Sequence, residues 1–125
     1  ADVLIHAVID ALLGAAGLPD IGRQFPDTDE AYRGISSIQL LERTAELMMR
    51  EGFTIGNVDC TLILQRPKVA AYTQRMEKNM ADALGAADER IHVKATTTEG
   101  MGFTGDGQGI AASAVCFLIR HPGLI

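Results

Sequence analysis

Residues 93–109 read VKATTTEGMGFTGDGQG. Thr96, Thr97 and Thr98 put three hydroxyls in a row, Glu99 follows at once, and five glycines fall in the next ten residues. Glycines let a backbone come close to a ligand. Hydroxyls beside free amide N–H groups suit phosphate oxygens, and a carboxylate is a hard ligand for Mg²⁺ or Mn²⁺. These are the parts that hold a diphosphate with its cation. The competing reading is an ordinary turn after a Thr-rich strand. The spacing is neither a Walker loop, which needs GK[ST], nor a GxGxxG in its strand–helix setting.

Three further groups could do chemistry. Pro67 and Lys68 stand where a strand gives way to a helix. A helix start gathers unpaired N–H groups and positive potential, so a lysine there either meets an anion or is simply solvated. His6 and Asp10 are four residues apart and share a helix face. They could hold a metal between them or form a local pair on the helix surface. Asp20, Asp27 and Asp29 lie in one segment with Gly22. They could bind substrate hydroxyls, or they could order the segment through side-chain turns. No G-x-S-x-G and no cysteine with an evident activating base is present. His92 and His121 stand alone, so a covalent mechanism has no evident nucleophile.

The elements that position these groups follow from periodicity. DVLIHAVIDALLGAAG reads as a helix over 3–16, with Asp2 near its N-cap and Gly17 as its stop. Residues 18–34 mix Pro, Gly and acids, which predicts a long loop. SSIQLLERTAELMMREG predicts an amphipathic helix capped by Ser36 or Ser37 and stopped by Gly52, with Ile38, Leu41, Ala45, Leu47 and Met48 as its apolar face. FTIGNVDCTLILQ predicts a strand, best over 57–64. A third helix follows Pro67 and ends at Gly85. IHVKATT and GIAASAVCFLIR predict two more strands, the last suiting a short helix by length but needed as a partner strand. A strand, a helix and a strand in sequence imply a parallel pair joined by a crossover. The expected fold is α/β (α+β): a single two-layer domain over 1–125, with a mixed β-sheet and helices on one face.

Composition sets outer limits. The chain has 125 residues, 47% of them apolar and a net charge of -5. That charge argues against a general nucleic-acid binder but allows a small phosphorylated ligand. Neither a membrane span nor a signal peptide is visible. The two cysteines, Cys60 and Cys116, sit in apolar runs without paired spacing, which predicts buried reduced thiols.

Taken in order, HAVIDALLGAAGLPDIGRQFPDTD, GNVDCTLILQRPK and VKATTTEGMGFTGDGQGIAASAV resemble the 2-C-methyl-D-erythritol 2,4-cyclodiphosphate synthase family. The resemblance runs from Asp2 to about Arg120 and implies a phosphorus–oxygen lyase of the non-mevalonate isoprenoid pathway. In that family 4-diphosphocytidyl-2-C-methyl-D-erythritol 2-phosphate cyclises with release of CMP. The substrate's own 2-phosphate attacks, which accounts for the missing protein nucleophile. Holding reacting groups in place is worth roughly 7–11 kcal/mol in such cases.

The same resemblance implies roles position by position. His6 matches a ligand of a divalent metal, usually zinc, and Asp10 a carboxylate beside it or on the substrate side. Asp20, Ile21 and Gly22 match the segment that contacts the methylerythritol part. Phe25, Pro26, Asp27, Thr28 and Asp29 line the same pocket. Leu64, Gln65, Arg66, Pro67, Lys68, Val69 and Ala70 match the cytidine and phosphate segment. Thr96, Thr97, Thr98 and Glu99 match the diphosphate segment, with Thr97 matching the residue that stabilises the transition state and Glu99 the ligand of magnesium or manganese. Phe103 matches a further substrate contact. A homotrimer with sites between subunits is implied. The cellular setting would be cytoplasmic in a bacterium and a plastid-type organelle in a eukaryote.

Two departures from the family pattern stand out. The family's N-terminal strand with Asp-x-His, which supplies further metal ligands, and its His-Ser pair are not in these residues. The alternative expectation is therefore a trimeric nucleotide-binding or structural domain without catalysis. Asp106 and Ser113 also replace the Arg and Glu that many members carry near the trimer axis.

Overall fold

The computed structural model describes residues 2–64, 72–97 and 109–121. Helix α1 spans Asp2–Ala15. Leu4, Val8, Ile9, Leu12 and Leu13 recur at helical spacing along it, and all five are buried. Gly17 follows at φ 75°, a left-handed turn that glycine adopts without strain. The segment expected to be a loop contains a one-turn helix, α2 (Ile21–Gln24). Its signal was Asp20, whose Oδ1 accepts Arg23 N–H at 3.0 Å.

Helix α3 spans Ser37–Arg50 and begins with a reciprocal cap. Gln39 N–H donates to Ser36 Oγ at 3.2 Å, and Ser36 N–H donates to Gln39 Oε1 at 3.2 Å. Its buried stripe is Leu41, Thr44 and Met48. Thr44 is not on the apolar face expected from sequence. Its hydroxyl is satisfied within the helix, donating to Leu40 O at 2.8 Å, so the methyl end can be buried.

Strand β1 (Phe53–Ile63) starts earlier than expected. The register with its neighbour shifts between Ile55 and Asn57. Gly56 permits this bulge: a Cβ there would come within 2.7 Å of Phe117 Cδ2. Arg90 Nη1 donates to Gly56 O at 2.9 Å across the irregularity. Helix α4 spans Thr73–Leu84 and closes on Gly85 at φ 65°. The expected helix start at Pro67 and Lys68 lies outside the described residues. A 3₁₀ turn, Asp88–Arg90, leads into β2 (Ile91–Thr96), and β3 is Ala111–Arg120.

The sheet order is β2-β1-β3. β1 and β2 are parallel, joined through α4, and β3 returns antiparallel to β1. Helices α1, α3 and α4 pack on one face, as expected, and α2 rests against α1. That face buries Val58, Cys60 and Leu62 from β1 and Ile91 and Val93 from β2. Ala112, Ala114, Cys116 and Leu118 of β3 pack against the same core. The opposite face is open: Val115 is 74% and Phe117 66% exposed. Both cysteines are free, Cys60 buried and Cys116 half-buried. Among the described residues no helix is long and apolar enough to cross a membrane.

Candidate active site

The sheet brings two predicted segments to one edge. β1 and β2 run parallel and finish side by side, with Ile63 paired to Thr96. Leu64 N–H donates to Thr96 O at 3.0 Å, which locks the ends of both strands. β3 begins at the same edge, because Ile63 is also paired with Ala111. The chain leaving Leu64 toward Gln65–Ala70 and the chain leaving Thr97 toward Thr98 and Glu99 therefore depart from adjacent strand ends. Ligands of open α/β sheets bind outside the carboxyl ends of parallel strands. Leu64 is buried and anchors its strand end, whereas Thr96 is exposed and Thr97 half-buried. Thr97 also has a partner of its own. Gln65, Arg66, Pro67, Lys68, Val69, Ala70, Thr98, Glu99 and Phe103 lie outside the described residues.

A second group forms where α1 meets α2. Asp10 Oδ1 accepts Ile21 N–H at 3.1 Å, tying the 20–22 segment to α1. Asp29 Oδ1 accepts Ala31 N–H at 3.0 Å, so this carboxylate orders a turn. Asp20 does the same at the head of α2. Asp27 and Thr28 are exposed and Pro26 half-buried. Phe25 meets Tyr32 edge to face at 5.2 Å between ring centroids. Tyr32 was not among the residues singled out from sequence, although its spacing from Phe25 across an acidic turn is a usable signal. Glu77 was missed as well: its Oε2 accepts Val93 N–H at 2.8 Å and steadies β2 four residues before Thr97.

His6 is exposed on α1. Among the described residues no group of three or more His, Cys, Asp and Glu side chains could hold a metal ion. These residues alone therefore do not make a metal centre. An apolar groove of about 520 Å³ between α1, α3 and α4 is lined by Leu4, Ile5, Ile38, Met76 and Met80. It contains none of the predicted site residues, and its polar side chains are Glu42, Asn79 and Asp82, two of them carboxylates that would repel a phosphate.

The Cys60 thiol is pushed up to about 11, first by burial and then by the carboxylates of Asp59 and Glu77, with Lys94 opposing. Burial also raises Cys116. Neither is a thiolate nucleophile near neutral pH.

A mixed sheet with helices on one face, whose parallel strands end side by side, defines a two-layer α/β domain. The YgbB family model matches residues 1–119, and the chain belongs to the YgbB family. It is 55% identical over 118 residues to the 2-C-methyl-D-erythritol 2,4-cyclodiphosphate synthase of Agathobacter rectalis, covering 94% of this chain and 67% of that protein. Against the synthase of Thiobacillus denitrificans it is 57% identical over 120 residues, covering 96% of this chain and 75% of that protein. Among solved structures it resembles the bifunctional IspDF of Campylobacter jejuni, with TM-score 0.87 and 41% identity over 94% of this chain and 32% of that one. The Plasmodium falciparum IspF complex with CDP gives TM-score 0.83 and 31% identity, covering 95% of this chain and 71% of that one.

Proposed function

We infer that the chain is a cyclodiphosphate synthase domain. It converts 4-diphosphocytidyl-2-C-methyl-D-erythritol 2-phosphate to 2-C-methyl-D-erythritol 2,4-cyclodiphosphate and CMP. An oxygen of the substrate's 2-phosphate attacks the β-phosphorus. The bond from that phosphorus to the oxygen bridging the two phosphates breaks, and CMP leaves with the bridging oxygen. The observation that carries this reading is the paired ends of β1 and β2, where Leu64 N–H meets Thr96 O. That pairing supports the reading because Leu64 and Thr96, the first residues of the cytidine-type and diphosphate-type segments, are neighbours.

The chain's own work in this reading is to fold the substrate and meet its charge. Thr96 and Thr97 offer hydroxyls to the diphosphate, and Lys68 offers a cation. Asp20, Ile21 and Gly22 face the methylerythritol part. His6 and Glu99 are the metal-facing residues, with zinc and with magnesium or manganese respectively.

The open sheet face completes the proposal. Val115, Phe117 and Ile119 form an exposed apolar row on β3, with nothing over it among the described residues. A copy of the same chain fits such a face, and a homotrimer with sites between subunits is the assembly proposed. Agathobacter rectalis and Thiobacillus denitrificans are bacteria, and a cytoplasmic location accompanies this reading.

Calorimetric titration with CDP tests the site. The parent protein should bind and Lys68→Ala should bind more weakly. Equal affinity would remove Lys68 from the site, and no binding by the parent would remove the site itself.

A further inference from the structure

The Asp10 carboxylate has a partner that its position in the chain does not announce. It reaches eleven residues onward to accept Ile21 N–H at 3.1 Å. Asp20 Oδ1 accepts Arg23 N–H at 3.0 Å from the other side. Arg23 N–H also reaches the Asp20 carbonyl at 3.1 Å, whereas the acceptor of Ile21 N–H is the Asp10 carboxylate. The two ends of this tether differ in rigidity. α1 is fixed by Val8, Ile9, Leu12 and Leu13, all fully buried around Asp10. α2 buries no residue, and Ile21 only partly packs against the core. The position of α2 therefore depends on what holds it to α1. His6 lies one helical turn before Asp10, on the same face.

We propose that Asp10 is a positioning residue. It fixes Asp20, Ile21 and Gly22 relative to the His6 face of α1, acts through the Ile21 main chain, and does not itself touch the substrate. This rests on the synthase reading, in which the 20–22 segment faces the methylerythritol part. A tether of this kind needs an acceptor oxygen and does not need a negative charge. Asparagine supplies that oxygen in the same place, whereas alanine does not. A residue that met the substrate or a metal through its charge would be damaged alike by both changes.

The test uses the full-length protein that carries this chain, with Asp10→Asn and Asp10→Ala compared by steady-state cyclisation and by CDP titration. Asp10→Ala should lose roughly tenfold to a hundredfold in kcat/KM, mainly through kcat, because the reacting part of the substrate is misplaced. CDP lacks that part, so CDP affinity should stay within about twofold. Asp10→Asn should recover turnover to within about threefold to fivefold of the parent, allowing for the weaker neutral acceptor. Asp10→Asn as poor as Asp10→Ala would overturn the proposal, as would an Asp10→Ala variant with parental kcat/KM. If Asp10→Ala does not fold, Asp10→Asn decides alone: near-parental turnover supports the tether and a tenfold or greater loss overturns it. A parent that binds CDP without cyclising the substrate would count against the function inferred above, a result separate from either variant's behaviour.

Discussion

Replacing Glu77 should loosen the strand that delivers Thr96 and Thr97. In the described sheet β2 has a neighbour on one side only, β1, so alternate N–H groups point away from the sheet. Val93 N–H is one of these, and Glu77 Oε2 takes it at 2.8 Å. Glu77 stands one turn before Met80 and Ala81, two of the three buried residues of α4, so the helix itself aims the carboxylate at β2. Val93 is only 4% exposed and the bond itself is part-buried, so water replaces the lost acceptor only in part. Leaving a buried donor unpaired costs about 1–3 kcal/mol. At roughly 4 °C per kcal/mol for a domain of this size, Glu77→Ala should lower Tm by about 4–12 °C at fixed protein concentration. Glu77→Gln keeps a neutral acceptor and should lose about half as much. The local readout is amide hydrogen exchange: Val93 should exchange at least about fivefold faster in Glu77→Ala, the rate equivalent of about 1 kcal/mol. A Tm within 1–2 °C of the parent together with unchanged Val93 protection would refute the reasoning.

Other outcomes follow from the same structure. The Cys60 thiol, held up to about 11 in the fold, ionises in the unfolded chain from about pH 9. The unfolded state then holds fewer protons than the folded one, so stability should fall as pH rises from about 9 to 11, by up to about 2–3 kcal/mol. Denaturant midpoints of Cys60→Ala should lack that component, and an identical pH slope would contradict it. Thr97→Val keeps the shape and removes the hydroxyl; kcat should drop by ~10²-fold with little change in KM. An effect confined to KM would refute the rate role. Light scattering of the full-length protein at micromolar concentration should give a trimer mass, and Phe117→Lys on the open face should shift it toward monomer. A monomeric parent would sink the assembly.

Much of this architecture could be read from residue patterns, because the signals were local. α1 announces itself through Leu4, Val8, Leu12 and Gly17, and α3 through Ser36 and Gln39. The parallel pairing of β1 with β2 follows from a helix lying between two β-branched runs. What escaped the sequence depends on contacts distant in the chain or on a single residue. The start of β1 was masked by Gly56, which looks like a break but is a bulge held by Arg90 and covered by Phe117. α2 was hidden in a segment rich in Pro and Gly, and only the Asp20 cap marks it. The tether from Asp10 to Ile21 and the support of Val93 by Glu77 are long-range bonds with no sequence signature. The motif around Thr96–Glu99 suggested phosphate chemistry or an ordinary turn, and Thr98 and Glu99 lie outside the described residues. Its chemical specificity came only through family resemblance, since hydroxyls and glycines alone do not say which diphosphate they meet.

The central claim is tested most directly by giving the full-length protein 4-diphosphocytidyl-2-C-methyl-D-erythritol 2-phosphate and following phosphorus by NMR. The account predicts that the diphosphate ester signals vanish while CMP and a cyclic diphosphate appear in equal amounts. Hydrolysis to open-chain phosphates, or CDP-type binding with no turnover in the presence of divalent metal, would contradict it.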